Sequence, residues 1–236
     1  TSRNGRGTNA DAAIFIRGAQ PIIVNNIIRD NFGPMISINA NAMVDTVLGD
    51  LGQATGLLNA IPDANGNHGP LVRGNRMTNN AVNGMVVRGG TLTTETIWDD
   101  TDIAHILRSE IVVPNHQVYS GIRLQSSQTE SLIVKVWGTT AGITAAGTPL
   151  DITDRIGGTV QIIGQAGLPV IMTSIADDTV PAGFDPDGLP VFDTDNGSGT
   201  RFVGPEVNNG ILIDDDILTG SVGHFEIQPG AGGSVG

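Results

Sequence analysis

Asp185-x-Asp187-Gly188 and Asp193-x-Asp195-Asn196-Gly197 set carboxylates two residues apart, with a glycine close behind each pair. A chain that wraps a calcium ion needs oxygen ligands at this spacing and a glycine for the sharp bend. Asp185, Asp187, Asp193 and Asp195 are therefore the candidate ligands of a Ca2+ ion. The match to an EF-hand loop fails: counted from Asp193, the sixth position is Ser198 rather than Gly and the twelfth is Gly204 rather than Glu. The alternative is a solvated acidic loop. Asp63-x-Asn65-x-Asn67 and Asp99-Asp100-x-Asp102 are sparser versions of the pattern, and Asp214-Asp215-Asp216 reads as a charged corner.

Asp99-Asp100 is also a carboxylate pair of the kind that does general acid and base work. Little else in the chain supports catalysis. His68, His105, His116 and His224 are scattered without a ligand pattern and read as surface or turn residues. No Ser-His-Asp constellation is recognisable. Gly230-Ala231-Gly232-Gly233 lacks the Lys-Ser/Thr of a phosphate loop. Trp98, Trp137 and Tyr119 could form a sugar-stacking platform, but in a chain so poor in aromatics they read first as packing residues.

The elements that must position these groups repeat. Ile14-Phe15-Ile16-Arg17-Gly18 is followed by Pro21-Ile22-Ile23-Val24-Asn25-Asn26-Ile27-Ile28, and the phrase returns in Gly69–Gly90, where Leu71-Val72-Arg73-Gly74 and Met85-Val86-Val87-Arg88-Gly89 flank Asn75, Asn79, Asn80 and Asn83. Strands this short cannot bury enough surface alone, and stacking copies covers each apolar face with the next. Asn and Gly permit the left-handed backbone of a sharp corner, and stacked asparagines can hydrogen-bond from one copy to the next. Arg17, Arg73 and Arg88 recur at one point of the repeat and are expected to pair with carboxylates on adjacent copies, each pair contributing about 0–1 kcal/mol.

These phrases resemble the right-handed parallel β-helix repeats of the pectate-lyase-like superfamily. Gly157–Gly164, Gly167–Ser174 and Asp177-Asp178-Thr179 are similar to rungs of very large exported surface proteins of planctomycetes and related bacteria. The resemblance spans about residues 12–180. It implies an all-β, right-handed parallel β-helix (a solenoid) with loop insertions, in a secreted or cell-surface setting. Many such proteins cleave polysaccharides, with calcium-binding carboxylates and an Arg or Lys base in the lyases, or with Gly-His-Gly and Arg-Ile-Lys motifs in the hydrolases. Here Gly223-His224-Phe225 and Arg155-Ile156-Gly157 echo those motifs only superficially.

Composition agrees with many short strands: 33 glycines in 236 residues and 4% aromatics, with no cysteine for disulfides or thiolate metal sites. A net charge of −12 repels nucleic acid and anionic lipid and attracts divalent cations. No apolar run approaches the ~18 residues of a membrane span. At ~20–25 residues per turn the chain would complete roughly eight to ten turns. Residues 1–236 read as one domain, with an insertion at about 39–68 holding a glycine-broken helix candidate, and an acidic excursion at about 176–201. A start at Thr1 and an end in a glycine-rich run read as a piece of a longer chain.

Two functions follow as expectations. One is a non-catalytic extracellular structural or adhesive protein: a stiff solenoid spacer or a filament or surface-layer subunit, stabilised by Ca2+ and stacked head to tail with itself or with further repeats of its parent chain. The other is a carbohydrate-active or carbohydrate-binding β-helix.

Overall fold

In the computed structural model the described residues are 12–44, 67–114, 120–138, 140–145 and 158–197, together with the backbone of three strands beyond them. Period-two apolar text becomes strands β1 (Ile14–Phe15), β2 (Ile22–Val24), β3 (Ile27–Arg29), β4 (Pro34–Asn39), β5 (Leu71–Arg73), β6 (Arg76–Thr78) and β7 (Val82–Arg88). The middle of the chain supplies β8 (Gly90–Thr91), β9 (Glu95–Trp98), β10 (His105–Leu107), β11 (Glu110–Val113), β12 (Gly121–Gln125), β13 (Ile133–Val136) and β14 (Gly142–Ala145). Then come β15 (Thr159–Ile163), β16 (Val170–Ser174), β17 (Gly183–Phe184), β18 (Pro190–Val191), β19 (Ile211–Ile213), β20 (His224–Ile227) and β21 (Gly232–Val235). Among the described residues the one helical element is a 3-10 turn at Ala40–Ala42. The fold is all-β. The rest of the expected helix candidate, residues 45–60, lies outside the described residues, as do His116, Tyr119 and the side chains of Asp214–Asp216.

The largest sheet has the order β1-β4-β7-β10-β13-β16-β19, every neighbour parallel and three strands on in the chain. Two further parallel sheets, β8-β11-β14-β20 and β9-β12-β15-β21, step by three strands except at their last pairs, β14–β20 and β15–β21, which step by six. Parallel neighbours cannot be joined by a tight turn, so the chain must leave through the other sheets before it returns. Seven strands rather than eight to ten line up in the main sheet, because residues 45–66 and 177–197 lengthen two of the intervals.

Register places like on like. In the main sheet Ile14, Ile36, Met85, His105, Val134 and Met172 form one column. The side chains of Ile36, Met85, Val134 and Met172 enter the main core, beside Trp98, Leu124 and Ile162 from β9, β12 and β15. The alternate column, Ser37, Val86, Ile106, Lys135 and Thr173, faces the other way and is buried as well. Val86 and Ile106 join Val82 and Ile175 in a second, smaller core on that face.

The asparagine corners work as the repeat implied. Asn25 and Asp30 adopt positive φ of 58°, and their counterparts Gly74 and Asn79 have φ of 67° and 51°. Behind them, Asn75 Oδ1 accepts from the Asn26 backbone N–H and side-chain amide at 3.1 Å, and Asn80 Oδ1 accepts from the same two groups of Asn31 at 3.3 and 2.7 Å. Asn75 and Asn80 in turn donate to the carbonyls of Ile23 and Ile28. Asn75 is 3% exposed, so Asn75→Ala strands the Ile23 carbonyl and the Asn26 N–H. It is expected to destabilise the chain by about 2 kcal/mol, read as a lowered denaturant midpoint at unchanged slope.

The acidic excursion does not stand off the sheets. From Asp177 to Gly197 it folds back across the outer face of the main sheet as a strap. Ala104 N–H donates to Ala182 O, Asn83 N–H donates to Thr194 O, and the short β17–β18 hairpin adds to β6 through Phe184 opposite Arg76. Gly183 (φ 157°) passes so close to Met77 and the Asp102 carbonyl that a Cβ there would force the end of the Met77 side chain to move.

Candidate functional site: a carboxylate–arginine cleft

β9 ends in Trp98, fully buried, and the next six residues turn the chain into β10. This corner is short. It lays no strand against β5, which among the described residues pairs with β2 on one side only. Carboxylates take the place of that strand. Asp99 Oδ2 accepts from His68 N–H at 3.1 Å, Asp100 Oδ1 from Val72 N–H at 2.9 Å, and Asp102 Oδ2 from Gly74 N–H at 2.6 Å. The Asp99-Asp100-x-Asp102 pattern is thus an edge cap for backbone donors that burial would otherwise leave unsatisfied. Beside β5 the open edge of β6 is covered by β17.

Arg73, at the end of β5, binds the corner from the other side. Its guanidinium donates to Glu130 Oε2 at 2.6 Å and to Thr101 Oγ1 at 3.3 Å, and stands 3.9 Å from Asp102 Oδ1. Thr101 Oγ1 donates to the same Glu130 oxygen at 2.8 Å. Between these groups opens a polar cleft of about 240 Å³, lined by Leu71, Arg73, Asp99, Asp100, Thr101 and Gln125 through Ser127 with Thr129. An apolar cavity of about 220 Å³ lies beyond Thr101, walled by Ile103, Ile133, Ile171 and Phe184 with Asp102 and Glu130.

Burial pushes the Asp100 carboxyl well above the usual carboxylate range, against the opposing pull of the Val72 N–H; Asp99 and Asp102 add to the rise. Burial raises Asp102 too, with the Gly74 N–H opposing. A carboxyl kept protonated by its surroundings is what a general acid requires. Here, however, Asp99 and Asp100 each hold a different backbone donor. Asp100 favours the folded state below the ordinary carboxylate pKa, and that contribution is lost as pH rises through its folded value. Asp100→Asn keeps an acceptor for Val72 N–H without a charge to desolvate, and should raise stability at neutral pH by about 1 kcal/mol. Asp100→Ala, which strands that N–H, should lower stability by a similar amount. Paired denaturation curves at neutral pH check both.

The four aspartates expected to hold calcium fall into two separate turns. Asp185 Oδ1 accepts from the N–H groups of Asp187 and Leu189 at 2.9 and 2.8 Å, closing the β17–β18 hairpin. Asp193 Oδ1 and Asp195 Oδ1 both accept from Gly197 N–H, at 3.3 and 3.0 Å. Among the described residues no group of three or more His, Asp or Glu side chains is placed to hold a metal ion. The cation that answers much of this acidic field is Lys135, the chain's only lysine. Fully buried on the outer face of β13, it donates to Asp177 O, Val180 O and Thr194 Oγ1, each at 2.7 Å. Burial lowers its pKa to about 8, while the charges of Asp177, Asp178, Asp195 and Asp193 hold it up. In the sequence its one signal was a lysine inside the apolar run Leu132–Trp137.

The histidine expectation fails at His105. Strand alternation puts it in the inward column, with no exposed surface, stacked on Trp98 at 5.1 Å between centroids and 13° between planes. Neither ring nitrogen makes a hydrogen bond, and neither does Trp98 Nε1. Burial lowers the His105 pKa to about 4, with the nearby backbone of Ile133 and Ile103 pulling weakly the other way. Trp98 is a packing residue, and Trp137 lies under the Arg108 guanidinium at 3.8 Å. The three Arg-Gly arginines also part company. Arg73 finds a carboxylate, whereas Arg88 donates to Ser37 Oγ and Ile16 O and covers the Phe15 ring at 4.2 Å. No known protein family, curated protein or solved structure matches the chain.

Proposed function

We propose that this chain is a right-handed parallel β-helix that serves as a non-catalytic, extracellular structural or adhesive element, a stiff spacer or the subunit of a filament or surface layer. The observation that carries the reading is the strand order: in the seven-stranded sheet each neighbour is three strands on, two further sheets step by three or six, and every pairing in these three sheets is parallel. A right-handed crossover is the general rule for parallel neighbours in one sheet. Stacks of this kind are stiff along their axis because every repeat is held by its neighbours' backbone bonds. At ~4.8 Å between strands the seven-stranded sheet spans roughly 30 Å, the length of a short rod segment. The acids that would serve an enzyme are engaged as backbone caps, which favours a scaffold.

Electron microscopy and sedimentation of the purified chain, over a range of salt and calcium concentrations, test the proposal. Fibres, sheets or end-to-end oligomers that grow as salt screens the net charge of −12 are the expected result. A monodisperse monomer under all conditions would count against it.

Carbohydrate binding is the second reading, favoured by the polar cleft beside Arg73 and Asp100. Titration with neutral and acidic polysaccharides separates the two. Saturable binding that Gln125→Ala and Thr129→Ala together abolish would assign the cleft to a glycan.

A further inference from the structure

The apolar cavity beyond Thr101 takes no part in the caps around β5, and its walls are of two kinds. Ile103 and Ile133 are buried, while Ile171, Pro181 and Phe184 are half-buried and form its rim. Against this hydrocarbon stand two carboxylates, Asp102 and Glu130. Each accepts hydrogen bonds on one oxygen only. Glu130 Oε2 accepts from Arg73 and Thr101, and Asp102 Oδ2 accepts from Gly74 N–H. Among the described residues nothing donates a hydrogen bond to Glu130 Oε1. Asp102 Oδ1 is buried without a donor, with the Arg73 guanidinium 3.9 Å away.

The charges here do not balance. Asp102 and Glu130 share one cation, Arg73, which lines the polar cleft and not this cavity. Arg76 lies over the Phe184 ring at 5.3 Å and does not line the cavity either. The cavity therefore presents hydrocarbon on most sides and uncompensated negative charge on one. A calcium ion needs six to eight oxygen ligands, and these apolar walls supply too few. The volume of about 220 Å³, at ~30 Å³ per water, has room for roughly seven non-hydrogen atoms.

We propose that this cavity is a binding site for a small organic ammonium ion, whose compact hydrocarbon body lies against Ile103, Ile133, Ile171 and Phe184 and whose N–H groups donate to Glu130. An ammonium group brings three donors and the missing charge together. The apolar walls supply affinity, and the carboxylate fixes orientation. Asp102 acts through its field: burial raises its carboxyl, and a cation in the cavity offsets that cost. The inference rests on the cavity and its charges and does not depend on the proposed function.

Titration of the whole chain with cyclohexylammonium is the test, followed through the methyl NMR signals of Ile103, Ile133 and Ile171. Cyclohexanol and cyclohexanecarboxylate keep the ring and change the charge. The ammonium ion should bind saturably and at least tenfold tighter than the alcohol, and the carboxylate should not bind. Glu130→Gln keeps an acceptor for Arg73 and Thr101 but removes the charge, and should abolish the preference for the ammonium ion. Ile171→Trp fills the cavity and leaves both carboxylates in place, and should abolish ammonium binding altogether. Absence of saturable ammonium binding, or equal affinity for ammonium ion and alcohol in the unaltered chain, would overturn the proposal. A preference that survives Glu130→Gln, or ammonium binding that survives Ile171→Trp, would overturn it too.

Discussion

Lys135→Ala is expected to cost about 3 kcal/mol of stability and to release the strap from Asp177 to Gly197. Removing one member of a buried charged cluster leaves the others without compensation. Here three acceptors, Asp177 O, Val180 O and Thr194 Oγ1, would lose their donor together. Against this stands the relief of no longer burying an ammonium ion, which explains why the net figure stays below the sum of three lost bonds. Lys135→Met separates the contributions, since it keeps the alkyl packing and discards the donors. Limited proteolysis reads the local effect: both variants should be cut first at the exposed hairpin loop around Pro186–Leu189. Digestion and unfolding curves that match the parent would show that the strap is held by other contacts.

The same residue sets an alkaline signature. With a folded pKa of about 8 against an ordinary 10.5, Lys135 has released its proton between those values while the unfolded chain still holds it. Stability from this residue therefore rises with pH across that window, and Lys135→Met should flatten the slope.

His105→Phe is the second large effect, and its sign is opposite to that of most core substitutions. Phenylalanine keeps a ring against Trp98 and removes two nitrogens that have no partners. At neutral pH the variant should be at least as stable as the parent. In acid the difference widens. The folded pKa of about 4 lies below the unfolded 6.5, so the unfolded state binds a proton that the folded state refuses. The parent should lose about 3 kcal/mol between pH 6.5 and pH 4 from this residue, and the variant should lose none of it. Denaturant midpoints measured at half-unit steps through that range decide the matter. Parallel curves for the two proteins would mean that the buried ring is protonated without strain.

The strands were largely legible. Ile22–Val24, Ile27–Ile28, Met35–Ile38 and Leu132–Trp137 read as β text because alternation and β-branching are local signals, and the structure puts strands there. The asparagines were legible as stacking corner residues but their phase was not: the Arg-Gly repeat sets Asn25-Asn26 against Asn79-Asn80, whereas Asn26 stacks on Asn75 and Asn31 on Asn80. What the sequence hid was everything decided between distant segments. Asp99, Asp100 and Asp102 look like a ligand set until β5 is seen to lack a neighbour. His105 looks like any other histidine until its column is known. The aspartates of the strap have the spacing of a calcium loop, but spacing records only what is near in sequence, and it did not show that the strap divides them between two turns. The lysine that faces four of the strap's carboxylates sits some 40 to 60 residues earlier.

The β17–β6 pairing has a consequence in time. Arg76 and Phe184 are about 110 residues apart, so a chain made from its N-terminus at roughly 5–20 residues per second exposes the open edge of β6 for about 5–20 seconds before its cover exists. The first three repeats can stack during that interval, but the face that the strap seals stays wet, and Lys135 stays hydrated and fully charged. Closure of the strap therefore follows the stacking of the repeats before it, and it dehydrates one ammonium group as it closes. A pulse of labelling at lysine during refolding would register that moment as the loss of a single reactive site.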